Sequence, residues 1–250
     1  MENEFSIQSK VIIITGGNGD IAGHIANIFA KKKAYVYSVD IKFQKNNAKS
    51  KYLIQQICDI RITNDFKKII DSIMTKHHKS DVLINAAGVS YPTKLSIYSE
   101  KNWKKTIDIN LTAAFSCAQQ VLPYMKKQKK GVIINITSIN SKLAFPNNPA
   151  YVASKGGLSM LGKALARDWG KYGIRVNNLA PGYIETSMTK NSFNNKKLRE
   201  ARTRRTILGR WGKIDDLIGP CIFLASDASN YITGQDIFVD GGWISNGLSE

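Results

Sequence analysis

A run of four β-branched residues at positions 11–14 passes directly into a glycine-rich turn, TGGNGD, at positions 15–20, and a helical pattern follows over 21–31. Such a run is typical of a strand that is buried on both faces of a parallel sheet. A strand, a glycine turn and a helix in this order form the first half of a dinucleotide-binding unit, because glycines let the backbone approach a pyrophosphate and the helix N-terminus favours its negative charge. The chain is therefore predicted to begin with an α/β unit that carries a phosphate-binding turn.

Strand and helix patterns alternate along the rest of the chain. Further strands are predicted at 35–39, 52–58, 81–85, 132–136, 174–180 and 236–240, and helices at 63–78, 99–127, 150–171 and 215–225. This alternation predicts a single α/β domain over residues 1–250, a Rossmann-type, doubly wound, seven-stranded parallel sheet with helices on both faces. The stretch 187–210 has weak helical patterning, and we expect it to form a substrate loop or lid.

The formal net charge is +17, which raises the question of nucleic-acid binding. The charge comes from 28 Lys and only 8 Arg, whereas direct base readout relies on Arg. The lysines are scattered in short groups, which favours a solvated surface. Attraction of an acidic substrate is the alternative, and nucleic-acid binding is disfavoured.

The three cysteines, Cys58, Cys117 and Cys221, are far apart and form no CxxC pair, which favours buried thiols in a reducing compartment. The N-terminus has no signal-peptide pattern, and no apolar run approaches the roughly eighteen residues of a spanning helix. We therefore expect a cytoplasmic protein that acts on a small molecule, with no membrane partner and no metal ion.

Tyr151 and Lys155 lie four residues apart at the start of a predicted helix, so their side chains share one face. Ser138 lies thirteen residues before Tyr151, just past the strand at 132–136. The three groups can meet at one point, where the ammonium would lower the pKa of the phenol from its usual value near 10 and suit it to proton transfer. The alternative is an ordinary helix with a core tyrosine and a solvated lysine.

Other polar or small residues follow the predicted strands. Asp40 ends the second strand, 24 residues after Gly16 and near the usual position of the acid that binds the adenosine ribose; a turn or capping aspartate is the alternative. The small residues at 85–88 would let an adenine or ribose lie against the backbone. Asn110 lies inside the predicted helix 99–127, where asparagine is unfavourable unless its side chain gains a hydrogen bond, so it is either a tolerated polar residue or an active-site positioner.

Taken together, the motifs TGGNGDIA, CDI, NAAG, YVASK and PGYIET, with Asp40, Asn110 and Ser138 in their places, resemble the short-chain dehydrogenase/reductase family over about residues 10–243. The resemblance implies an oxidoreductase in which Tyr151 is the acid or base that acts on the substrate hydroxyl or carbonyl. It implies that Lys155 lowers the pKa of Tyr151 and binds the nicotinamide ribose. It further implies that Ser138 holds the substrate oxygen and that Asn110 anchors a water in a proton relay.

The resemblance also implies a nicotinamide dinucleotide cofactor. Asp40 points to NAD rather than NADP, because a carboxylate accepts hydrogen bonds from ribose hydroxyls and repels a 2′-phosphate; Lys42 and Lys45 lie nearby and leave some NADP use open. The residues assigned in this way are Gly16, Asn18, Gly19, Asp20 and Ile21 at the diphosphate, Asp40 and Ile41 at the adenosine ribose, Asp59 and Ile60 at the adenine, Asn85, Ala86, Ala87 and Gly88 at the central ribose, and Tyr151, Lys155, Pro181, Gly182, Ile184 and Thr186 around the nicotinamide.

The glycine turn departs from the family pattern TGxxxGxG, because Asp20 and Ala22 occupy the second and third glycine positions. Ala22 is small enough to pack close to the strand. The Asp20 carboxylate could cap the helix, yet it would also repel a pyrophosphate. We expect weakened cofactor affinity rather than its loss.

The C-terminal part of the chain, 206–243, resembles gluconate 5-dehydrogenase-like sugar and sugar-acid dehydrogenases, with a role in assembly to a homotetramer or dimer. The expected reaction is the interconversion of a hydroxyl and a ketone on a sugar, polyol or sugar acid. The alternatives are reduction of a 3-oxoacyl thioester on acyl carrier protein and a non-catalytic nicotinamide-binding regulator. Substrate contacts are predicted at Ser138, Asn140, Tyr91, Tyr183, Phe145 and Asn147.

Overall fold

The computed structural model describes residues 4–43 and 50–247, so residues 44–49, which include the Lys45 named above, lie outside the described residues, as do residues 1–3 and 248–250. Within these ranges seven parallel strands form one sheet in the order β3-β2-β1-β4-β5-β6-β7. The strands are β1 (Val11–Thr15), β2 (Tyr35–Asp40), β3 (Leu53–Ile57), β4 (Val82–Asn85), β5 (Gly131–Ile136), β6 (Ile174–Pro181) and β7 (Asp236–Val239). The predicted doubly wound parallel sheet is confirmed, and its strand order reverses direction between β1 and β4, where ligands bind in such sheets.

Helices cover both faces of the sheet, as predicted. They are α1 (Asp20–Lys31), α2 (Thr63–His77), α3 (Glu100–Ile107), α4 (Ala113–Gln128), α5 (Pro149–Trp169), α6 (Lys190–Asn194), α7 (Lys196–Arg205) and α8 (Ile218–Ala225). Alternate residues of β1 point to opposite faces, so Ile12 joins an apolar cluster with α1 and α8, while Ile13 joins another with α2, α4 and α5. Among the described residues, no helix has both the length and the apolar composition needed to cross a membrane.

An amide ladder crosses four strands of the sheet at one register position. Asn85, Asn135, Asn178 and Asp236 are successive register partners on β4, β5, β6 and β7. Asn85 Nδ2 donates to Asn135 Oδ1 at 3.0 Å, and Asn135 Nδ2 donates to Asn178 Oδ1 at 3.0 Å. Asn178 Nδ2 completes the ladder by donating to Asp236 Oδ1 at 2.8 Å. Because buried amides must find partners, this ladder fixes the register of β4 to β7.

Three predicted elements differ from the structure. The single helix predicted over 99–127 is divided into α3 and α4 by a π-helical turn, Asp108–Thr112, that contains Asn110. The helix predicted over 215–225 begins with a 3-10 turn, Ile214–Leu217, before α8. The stretch 187–210, predicted to have little regular structure, contains the two short helices α6 and α7.

Candidate active site

A groove of about 450 Å³ lies at the carboxyl ends of β1, β2, β3 and β4. Most of the residues predicted to hold a cofactor meet there, namely Gly16, Gly19, Asp20, Ile21, Asp40, Ile41, Asp59, Ile60, Ala86, Ala87, Gly88 and Thr186. The groove therefore brings together residues from positions 16 to 186 that are far apart in sequence.

The glycine turn is packed so closely that a side chain at Gly16 has no room. Gly16 has φ +74°, and a Cβ placed on it would lie 2.7 Å from Ala87 Cα. Thr15 fixes the neighbouring loop, since its Oγ1 accepts hydrogen bonds from the main-chain nitrogens of Ala86 and Ala87 at 3.2 and 3.3 Å. The turn after β1 and the loop after β4 thus form one continuous wall of backbone, which suits an extended anionic ligand.

Asp20 does not cap α1, so that part of the prediction was wrong. The N-cap is Gly19, which makes no side-chain cap, and Asp20 is the first helical residue. Its Oδ2 instead accepts a hydrogen bond from Ser187 N at 2.6 Å, which ties the start of α1 to the segment before α6. The other departure, Ala22, is buried in the core as expected.

Asp40 and Asp59 present carboxylates at the ends of β2 and β3. Asp40 Oδ2 accepts from Asn18 N at 3.0 Å, and its Oδ1 accepts from Ile41 N at 2.7 Å. Asp59 is paired with Arg61, whose Nε donates to both carboxylate oxygens at 2.9 and 3.1 Å. The hydrogen bond from Arg61 is the largest cause that lowers the pKa of Asp59. Sequence reasoning missed Arg61, which lines the groove two residues after Asp59.

Lys155 lies behind Gly88, a residue of the groove wall. Pro149 opens α5, where its missing N–H costs nothing, and Lys155 follows two turns later with only 4% of its surface exposed. Its Nζ donates to Ile136 O at 2.7 Å. Burial lowers the pKa of Lys155 to about 8. A Cβ on Gly88 would lie 3.7 Å from Lys155 Nζ, so the ammonium borders the groove.

Tyr151 and Ser138 meet beside Lys155. Burial raises the pKa of Tyr151, and a hydrogen bond with Ser138 acts in the opposite direction. The Lys155 Nζ lies 5.6 Å from the centre of the Tyr151 ring. The effect of Lys155 on the pKa of Tyr151 remains a prediction: in this structure burial raises that pKa, and the ammonium donates to Ile136 O.

Asn110 is completely buried and joins the groove to α5. Its Oδ1 accepts from Val89 N at 2.8 Å, and its Nδ2 donates to Val89 O at 3.0 Å and to Ser154 Oγ at 3.1 Å. Ser154 in turn donates to Tyr151 O at 2.8 Å. Asn110 therefore positions the loop after β4 against the helix that carries Tyr151.

Aromatic residues gather around Tyr183, which follows the end of β6. The Tyr183 ring lies 6.0 Å from Phe145, 4.9 Å from Trp243 and 5.1 Å from Trp211. Arg202 of α7 lies 4.4 Å above the Tyr183 ring. Sequence reasoning found Tyr183 and Phe145 but missed Trp211, Trp243 and Arg202. For Arg202 the available signal was the spacing of Arg199, Arg202 and Arg205, which puts all three on one helix face.

The other predicted substrate residues lie in separate places. Asn140 contacts Ser138 directly, because Ser138 Oγ donates to its Oδ1 and accepts from its main-chain nitrogen, both at 3.1 Å. Tyr91 lies under Lys105 Nζ at 5.5 Å. Asn147 is exposed, with φ +63°, and its carbonyl accepts from Thr93 N at 2.7 Å.

Several residues assigned to the cofactor do not line the groove. The Asn85 side chain belongs to the amide ladder, and Ile184 is buried in the core. A Cβ on Gly182 would lie 2.7 Å from Asp240 Cα, so this glycine permits close packing of β6 against the chain after β7. Asn18, Tyr151, Lys155 and Pro181 also lie outside the groove walls.

Comparison with known proteins places the chain among oxidoreductases. The sequence family described as Enoyl-(Acyl carrier protein) reductase matches residues 17–244. The 2-dehydro-3-deoxy-D-gluconate 5-dehydrogenase of Bacillus subtilis is 34% identical over 252 residues, covering 98% of both chains. The 3-oxoacyl-[acyl-carrier-protein] reductase of Thermotoga maritima is 34% identical over 249 residues, covering 95% of this chain and 99% of its own.

Solved structures agree with this placement. A gluconate 5-dehydrogenase from Burkholderia cenocepacia in complex with NADP and tartrate superposes with a TM-score of 0.89 at 32% identity, covering 97% and 98% of the two chains. A 4-hydroxyisoleucine dehydrogenase complexed with NADH gives 0.88 at 32% identity, covering 95% of this chain and all (100%) of its own. With its parallel sheet, its groove and the Ser138, Tyr151 and Lys155 cluster, this chain belongs to the short-chain dehydrogenase/reductase family of nicotinamide-dependent oxidoreductases.

Proposed function

We propose that the protein interconverts a hydroxyl and a ketone on a sugar acid or a related polyol, with NAD as the preferred cofactor and Tyr151 as the general acid or base. The observation that carries this proposal is the meeting of Ser138, Tyr151 and Lys155 behind Gly88 of the groove wall. Relatives named for sugar-acid dehydrogenation, at 32–34% identity, support the substrate class.

The groove fits a dinucleotide on structural grounds. Its floor is backbone at Gly16 and Ala87, where a single added methyl group would clash, and its walls carry carboxylates at Asp40 and Asp59 that can accept hydrogen bonds from sugar hydroxyls or a base amine. When bound, a nicotinamide cofactor supplies the hydride donor or acceptor. Gly16 to Ile21 would hold the diphosphate, and Asp40 would bind the adenosine ribose and disfavour a 2′-phosphate.

The protein supplies proton transfer and orientation. Because burial raises the pKa of Tyr151, the phenol is protonated at neutral pH and suited to donate a proton to a substrate carbonyl oxygen. Ser138 contacts the same phenol and can hold that oxygen. Lys155, with a pKa of about 8, changes charge close to the working pH and can exchange a proton with the site.

The test is a spectrophotometric screen of sugar acids, polyols and acyl thioesters with NAD and NADP, in the native chain and in Tyr151→Phe. We expect turnover of a sugar acid, and a loss of roughly 10²–10⁴-fold in kcat on removal of the phenol, with cofactor binding retained. Tyr231→Phe is the control, since Tyr231 is fully exposed at 104% relative accessibility. Full activity in Tyr151→Phe contradicts the assigned role and revives the non-catalytic regulator.

Reduction of a 3-oxoacyl thioester is the second candidate function. The observation that favours it is the start of the basic helix α7, where Lys196 and Lys197 are exposed and offer a surface for an acidic carrier protein. Turnover of acetoacetyl thioesters with NADPH, together with none of sugar acids, selects this candidate.

Three further expectations belong to the proposal. The segment 187–210 acts as a lid over the groove, supported by the bond between Ser187 and Asp20. The protein assembles as a homotetramer or dimer, which light scattering measures. It functions in the cytoplasm, consistent with three cysteines that are all free and buried, and fractionation of cells checks this.

A further inference from the structure

Two buried hydrogen-bond donors beside the active site have no acceptor among the described residues. They are Arg202 Nη1 and Trp243 Nε1. Both groups can only donate, and a buried donor without a partner is costly. The Arg202 guanidinium also interacts with the Tyr183 hydroxyl, but within the described part of the chain Nη1 and Trp243 Nε1 remain without a hydrogen-bond acceptor, which suggests an acceptor outside the protein.

Both donors belong to the aromatic cluster around Tyr183. Arg202 lies 4.4 Å above the ring of Tyr183, and the ring of Trp243 lies 4.9 Å from that of Tyr183. Phe145, from the loop that joins Ser138 to α5, contacts both Tyr183 and Trp243 at 6.0 and 6.2 Å. The two donors thus border the same ring, and the loop that carries Phe145 connects their cluster to Ser138 along the chain.

The charge around the cluster is positive and uncompensated. Arg199, Arg202 and Arg205 lie on one face of α7, above Phe193, Tyr183 and Trp243 respectively. Within the described ranges none of the three forms a salt bridge, whereas Arg210 nearby is paired with Asp216. The carboxylate of Asp240 is already occupied by the main-chain nitrogens of Gly242 and Ile244 at 2.9 Å each.

We propose that Arg202 and Trp243 bind the carboxylate of an acidic substrate and so hold its hydroxyl or ketone at Ser138 and Tyr151. A guanidinium matches the two oxygens of a carboxylate, and the surrounding rings exclude water and strengthen the attraction. The inference rests on the proposed function, which it extends by naming the residues that select an acid over a neutral polyol. Arg205 adds positive charge at the entrance.

The experiment measures binding rather than turnover. Tartrate and its neutral counterpart threitol are titrated into the NADH complex, with tryptophan fluorescence and calorimetry as readouts, in the native chain, Arg202→Gln, Arg204→Gln and Trp243→Phe. Arg204 is the matched control, because it is exposed on the same helix and carries the same charge. Circular dichroism and NADH affinity establish that each variant is folded.

We expect the native chain to bind tartrate at least tenfold more tightly than it binds threitol. Compared with the native chain, Arg202→Gln should bind tartrate about 50-fold more weakly and Trp243→Phe about fivefold more weakly. The tartrate affinity of Arg204→Gln should stay within twofold of the native value. Should Arg202→Gln not fold, Arg202→Lys, which keeps the charge but not the fork, is expected to lose about tenfold. The assignment is overturned if Arg202→Gln and Arg204→Gln lose tartrate affinity equally, or if the native chain binds tartrate and threitol equally. It is also overturned if inorganic phosphate binds the site as tightly as tartrate does. If the native chain turns over sugar acids but Arg202→Gln binds tartrate as tightly as the native chain, this binding site is refuted and the proposed function stands. If tartrate binding depends on Arg202 but the native chain turns over no sugar acid, the proposed function is refuted and the binding site stands.

Discussion

Replacing Asn110 with alanine removes a fully buried amide and is expected to destabilise the whole domain. The side chain makes three hydrogen bonds, two with the main chain of Val89 and one with Ser154 Oγ, at 2.8, 3.0 and 3.1 Å. At a net ~1 kcal/mol each, their loss amounts to roughly 3 kcal/mol, and the main-chain groups of Val89 are left unpaired. For a chain of 250 residues, each kcal/mol corresponds to about 2–4 °C in Tm, so Tm should fall by roughly 6–12 °C.

Thermal unfolding followed by circular dichroism or calorimetry measures this shift. Asn102→Ala is the matched control, because only the main-chain atoms of Asn102 take part in the described hydrogen bonds, and its Tm should stay within about 2 °C of native, as expected for a surface site. If Asn110→Ala unfolds as late as the control, the π turn does not depend on this amide, and the role assigned to Asn110 is incorrect.

Three further predictions concern charge. Burial holds the pKa of Lys155 at about 8, below its unfolded value near 10.4, so between these pH values the unfolded chain binds more protons and the free energy of unfolding should rise with pH. Between pH 8.0 and 9.5, urea unfolding should show that the native chain gains roughly 1–2 kcal/mol of stability relative to Lys155→Met. A difference between the two proteins that does not change with pH contradicts this prediction. Asp20→Asn keeps an acceptor for Ser187 N while removing a negative charge from the diphosphate turn, so calorimetry should show NAD bound about 3–10-fold more tightly, and unchanged or weaker binding argues against repulsion. Asp40→Ser should raise the ratio of kcat/KM for NADP over NAD at least tenfold; a ratio that does not move means that Asp40 does not select the cofactor.

Local patterns in the sequence were sufficient for the sheet. Each predicted strand is present within two residues of its expected ends, because buried parallel strands are continuous apolar runs bounded by turns, as at β1 and β5. The glycine-rich turn after β1 and the placement of Tyr151 and Lys155 on one helix were predictable for the same reason, since each depends on residues that are close in sequence.

The features that sequence analysis missed depend on distant partners. The π turn at Asn110 exists because its amide finds Val89 and Ser154, which are 21 and 44 residues away. The Asp20 carboxylate contacts Ser187 across 167 positions. The position of Lys155 likewise follows from packing between α5 and β5, which no local pattern encodes. This packing brings the Lys155 ammonium to Ile136 O and buries Tyr151, which raises its pKa.

The amide ladder has a consequence for biosynthesis. Its last rung is Asp236, which comes 151 residues after Asn85. Until that strand emerges, Asn178 lacks the acceptor at 2.8 Å that it has in the finished sheet, and a carboxylate that Lys163 and Ser159 also contact is missing from the edge. Domains tend to fold as units during synthesis, and this sheet cannot be completed until β7 has been made. A ribosome that stalls before Asp236 would therefore hold a sheet in which the edge of β6 is unpaired and the Asn178 amide lacks this acceptor.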